Sequence, residues 1–92
     1  MAQTARRVAL ALERFARTVP FTGEQGLHLA LLSDAALSLW PRRPGTRKSV
    51  APAVRTAART WFESKSNTPF SFEETARVLK LNPAAIRRRL LS

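Results

Sequence analysis

Residues 70–91 read FSFEETARVLKLNPAAIRRRLL, and the reading of this stretch decides the fold. Ser71 followed three residues later by Glu74 is the spacing of a capping box. There a hydroxyl accepts from a free N–H of the first helical turn and a carboxylate reaches back to the cap. This predicts a helix from Ser71 to about Leu79, with Phe70 stapled against Thr75 or Ala76. Asn82 and Pro83 start another helix, which runs to about Leu91. Asparagine is a good N-cap, and proline fits a first helical position whose N–H is unpaired anyway. Only Lys80-Leu81-Asn82 separates the two. Ala76 is small where the helices must approach, and Ile86 and Leu90 form an inward stripe. On the same wheel Ala84, Arg87 and Arg88 point outward, with Arg89 on the flank.

Outward from this stretch the pattern stays helical. No run alternates β-branched with polar residues, so the expected fold class is all-α, about five short helices in a compact bundle. A first helix spans about Gln3 to Thr18, with Val8, Ala11, Leu12 and Phe15 on its core face, and Pro20 stops it. A second spans about Gly23 to Trp40, with Thr22 as N-cap. Its leucines point everywhere, and a helix apolar all round is buried on several sides. Leu29, Leu32, Leu39 and Trp40 are therefore expected to pack against a second subunit, making a homodimer. PRRPGTRKS, residues 41–49, is an irregular basic loop carrying Arg42, Arg43, Arg47 and Lys48. Ser49 caps a third helix, with Pro52 in its first turn. Val50, Val54, Ala57 and Trp61 form its core stripe, with Arg55 and Arg59 opposite. The domain organisation is thus one domain over 1–92: a helical pair in 1–40, the basic loop 41–49, and the remaining helices in 50–92.

Composition narrows the function. The chain has 92 residues, no cysteine, one histidine and a net charge of +10. Residues 1–46 hold six basic and three acidic side chains; residues 47–92 hold ten and three. The charge therefore concentrates in the half that holds the quoted stretch, and it favours a polyanionic partner. Without cysteine there is no disulfide or zinc–thiolate site, and a reducing cytoplasmic setting fits. No metal, no cofactor and no membrane span is expected. No nucleophile–base pair or glycine-rich phosphate loop suggests an enzyme. His28 and Asp34 do not share a helix face and read as polar residues of a mostly buried helix.

The segment EETARVLKLNPAAIRRRL resembles the helix-turn-helix of many bacterial DNA-binding regulators. One departure is Lys80, where that turn usually carries glycine, at a site that often needs positive φ. The resemblance implies a recognition helix, residues 83–91, entering the major groove. Arg87 and Arg88 would then contact bases or phosphate, Ala84 would allow close approach, and Lys80 would reach phosphate. Arg42, Arg43, Arg47, Lys48, Arg55 and Arg59 would add phosphate contacts. A longer stretch, from LALLSDAALSLW to the end, is similar to a family of small uncharacterised bacterial proteins with a Pro-Phe-Ser-Phe segment. That likeness implies a common fold and no activity. The leading expectation is a dimeric, nucleoid-associated DNA-binding protein that regulates transcription. The alternative is a protein-interaction module of bacterial or phage origin, in which the apolar second helix and the basic face meet a protein partner.

Overall fold

In a computed structural model, residues 2–18 and 23–91 are described. They form five helices: α1 (Ala2–Thr18), α2 (Gly23–Leu37), α3 (Pro52–Glu63), α4 (Phe72–Leu79) and α5 (Pro83–Leu91). Among the described residues there is no strand, so the fold is all-α. The expected stop at Pro20 and cap at Thr22 lie outside the described residues.

The helix starts follow from local chemistry. The Ser71 hydroxyl accepts from the Glu74 N–H at 3.3 Å, and the Asn82 side-chain oxygen accepts from the Ala85 N–H at 3.2 Å. Each satisfies one donor that the helix itself leaves unpaired. Pro52 begins α3, but its cap is Ala51, which supplies no side-chain hydrogen bond. The expected cap, Ser49, is bridged instead to Arg42. α2 stops at Leu37, short of Trp40. There the Ser38 hydroxyl donates to Asp34 O at 2.9 Å, and the Leu39 N–H donates back to Ala36 O in a tightened turn.

The turn between α4 and α5 is a left-handed closure. Lys80 has φ 58° and ψ 42°, and Leu81 N donates to Ala76 O at 2.8 Å while Lys80 N donates to Arg77 O at 3.2 Å. This six-to-one and five-to-two pairing satisfies the last carbonyls of α4 and normally uses glycine. Lysine in this conformation costs about 1–2 kcal/mol, while glycine gives back about 0.4–1 kcal/mol through the unfolded chain. Lys80→Gly is therefore expected to stabilise the fold by roughly 0.5 kcal/mol. A urea midpoint that falls instead would show that Lys80 is not strained.

The core is Ala9, Leu32, Ala36, Leu37, Phe62, Phe72 and Leu90. Phe62 and Phe72 meet edge to face at 5.0 Å, and Trp61 packs against both. This cluster turns α3 away from the expected stripe. Ala58 and Phe62 are buried, while Val54 is 48% exposed. One phenylalanine with two aromatic partners outweighs a valine and an alanine.

One face of α2 is covered by its own chain, which corrects the subunit-contact reading for Leu29 and Leu32, while Leu27 on the same helix is 56% exposed. Leu29 and Leu32 are buried, packed within one copy by α1 and α4. Leu39 and Trp40 are half-buried, and the Arg6 guanidinium lies 5.8 Å from the Trp40 ring centroid. His28 is also buried, its Nδ1 2.9 Å from the Thr75 hydroxyl. Phe70 does not staple onto α4. Its backbone takes φ 63°, and its ring stacks on His28 at 5.2 Å.

Candidate nucleic-acid interface

Two short helices with a tight turn present the C-terminal arginines, and the structure sorts those arginines sharply. Arg87 does not point outward. Its Nε donates to Phe62 O at 2.6 Å and its Nη2 to Ser64 O at 2.9 Å. The same guanidinium pairs with the Glu73 carboxylate and lies 4.9 Å from the Phe72 ring centroid. The cause is the end of α3, whose last carbonyls have no helical partner. A planar guanidinium supplies several donors in one fork and can stack on an aromatic face as well. Arg87 therefore ties α5 to the C-terminus of α3 and the N-terminus of α4, which corrects its assignment as a DNA-contacting residue.

Arg88 and Arg89 are exposed, and so is Ala84, one turn before Arg88. Lys80, Leu81 and Asn82 extend this exposed surface through the turn. The accessible face of α5 is thus Ala84 and Arg88, with Arg89 beside them. Sequence reasoning placed Arg89 on the flank and did not count it as a contact residue.

The acids of α4 are neutralised locally. Glu73 is taken by Arg87, and Glu74 by Arg77, whose Nε donates at 3.0 Å. The hydrogen bond from Arg77 holds the Glu74 carboxyl below the usual carboxylate range and raises the Arg77 guanidinium in return. Two carboxylates that would repel phosphate near this surface are therefore each matched by a cation.

The other predicted contacts divide in the same way. Arg59 donates to Leu91 O at 3.4 Å, placing a cation at the negative end of the α5 dipole. Arg55 is half-buried, and its Nε is enclosed with no hydrogen-bond partner among the described residues. Neither arginine stands as a simple outward phosphate contact. In the basic loop Arg43 is tied to α2, 3.0 Å from Asp34 and 3.4 Å from the Ser38 hydroxyl. Arg42, Arg47 and Lys48 are exposed.

The loop is also more ordered than its prolines suggested. Arg43 N donates to Lys48 O at 2.9 Å and Val50 N to Pro41 O at 2.8 Å, closing a small antiparallel turn. Gly45 takes φ 79° at its tip, against Leu10 of α1. Arg6 joins Arg42 along a cleft of about 480 Å³ between α1 and this turn. Arg6 stands at helical spacing from Arg14 and Arg17 rather than on the face of Val8, Leu12 and Phe15. Nothing local marked the loop as its neighbour.

Comparison with known proteins adds no relative: no family model, no curated protein and no solved structure matches the chain. Among the described residues no helix is long and apolar enough to cross a membrane.

Proposed function

We propose that the chain binds double-stranded DNA and acts non-enzymatically as a transcriptional regulator, with α4 and α5 working as a helix-turn-helix. The observation that carries this reading is the division of labour in Arg87-Arg88-Arg89. Arg87 fixes the helix from beneath, while Ala84 and Arg88 form an accessible stripe with no acid left unmatched on α4. A small residue followed one turn later by arginine suits close approach to a groove and a bidentate bond to guanine. The exposed Lys80, Arg42, Arg47 and Lys48, on a chain of net charge +10, supply sequence-independent attraction to phosphate.

The test is duplex binding over a series of salt concentrations, with sites enriched by selection. Arg88→Ala is expected to weaken the preferred site about tenfold to a hundredfold and to keep the helical circular dichroism. Equal loss on every sequence, with a salt slope shallower by about one, would reassign Arg88 to phosphate. No binding at low salt by the wild-type chain would overturn the proposal.

A further inference from the structure

α1 carries more apolar surface than the fold covers. Its buried positions are Ala5 and Ala9. The neighbouring stripe of Val8, Ala11 and Phe15 was expected in the core, yet Ala11 is exposed and Phe15 is 48% exposed. These residues are three and four apart, so they stand on one helix face. Facing them are Leu79 and Leu81 from the end of α4 and its turn, with Leu81 38% exposed. Between the two walls lies a cleft of about 470 Å³, floored by Leu12 and Leu29. Its volume falls within the range of small-molecule sites, roughly 300–1,000 Å³.

One charge interrupts this apolar lining. Among the described residues Arg89 is the only polar side chain at the cleft, and it makes no ion pair or side-chain hydrogen bond there. An apolar slot ending in an unengaged guanidinium selects its ligand on two counts. Hydrocarbon gains by leaving water, about fourfold in affinity per buried methylene. A carboxylate matches the guanidinium fork with two parallel hydrogen bonds. A second copy of the chain fits less well. A two-fold contact uses the same patch on both partners, bringing two Arg89-bearing, strongly cationic surfaces together.

We infer that this cleft binds a small amphipathic monoanion, a carboxylate on a hydrocarbon chain, with the chain between α1 and the α4–α5 turn and the carboxylate on Arg89. The site does not depend on DNA binding.

Decanoate below its micellar concentration is the probe, followed by calorimetry and thermal melting of the full chain. Saturable binding at one site is expected, with a melting temperature that climbs with ligand concentration. Decanol should bind about tenfold more weakly, lacking the charge-assisted pair. Octanoate should bind roughly fifteenfold more weakly, having two fewer methylenes. Arg89→Gln should erase the difference between decanoate and decanol, whereas Lys65→Gln, an exposed charge elsewhere, should not. Ala11→Trp adds bulk at an exposed helical position on the wall. It should keep the helical circular dichroism and lose the ligand. Unsaturable uptake, or equal affinity for decanoate and decanol, would overturn the inference. So would equal weakening by Lys65→Gln and Arg89→Gln, or a solution dimer that Ala11→Trp dissociates.

Discussion

Arg87→Ala is expected to destabilise the chain by about 3 kcal/mol and to lower its melting temperature by roughly 12–24 °C. The effect is large because one side chain serves three elements. Removing it leaves Phe62 O and Ser64 O at the end of α3 without their donor, and leaves the Glu73 carboxylate half-buried and unpaired. Each stranded acceptor costs about 1–3 kcal/mol where water cannot replace the donor. The lost stacking on Phe72 also opens a gap beside the aromatic cluster. Arg87→Lys separates charge from geometry. An ammonium keeps the attraction to Glu73 but cannot reproduce the planar fork, so it should recover less than half of the loss. Chemical denaturation followed by circular dichroism reads both variants. A midpoint for Arg87→Ala equal to that of Arg88→Ala would show that the two arginines are equivalent and would undo the division of roles.

That division explains what the sequence made legible and what it did not. Ser71, Asn82, Pro52 and Pro83 act within their own turns, so the starts of α3, α4 and α5 were readable to within a few residues. The all-α class was readable for the same reason, from periodicity alone. Lys80 lay between: its departure from glycine was visible, but its left-handed conformation depends on how the carbonyls of Ala76 and Arg77 are closed. Arg87 lay beyond reach, because its backbone acceptors are 25 and 23 residues away, at the end of α3. Nothing in a helical wheel separates an arginine facing solvent from one facing orphan carbonyls. The same kind of distant partner turned α3 onto Phe62, since Phe72 arrives from another helix. It also enclosed Leu29 and Leu32, whose covering surfaces on α1 and α4 no local pattern could supply.

Ala84→Glu is expected to separate stability from binding most clearly, moving the two in opposite directions. Ala84 is the second residue of α5, where the positive end of the helix dipole favours a carboxylate. It is exposed and one turn before Arg88, so the new glutamate gains an i,i+4 ion pair in the favourable orientation. Together these should raise stability by about 0.5–1 kcal/mol. On DNA the same change acts twice. The carboxylate meets phosphate and base edges at the point of closest approach, and it draws the Arg88 guanidinium away from guanine. Losing one bidentate contact weakens binding tenfold to a hundredfold, and the added repulsion should bring the total to roughly a hundredfold or more. Thermal melting and duplex titration on the same sample read both quantities. A variant that melts higher and still binds its preferred site would place the DNA surface away from this face of α5 and turn attention to other exposed cations, such as Arg42, Arg47 and Lys48 of the basic loop.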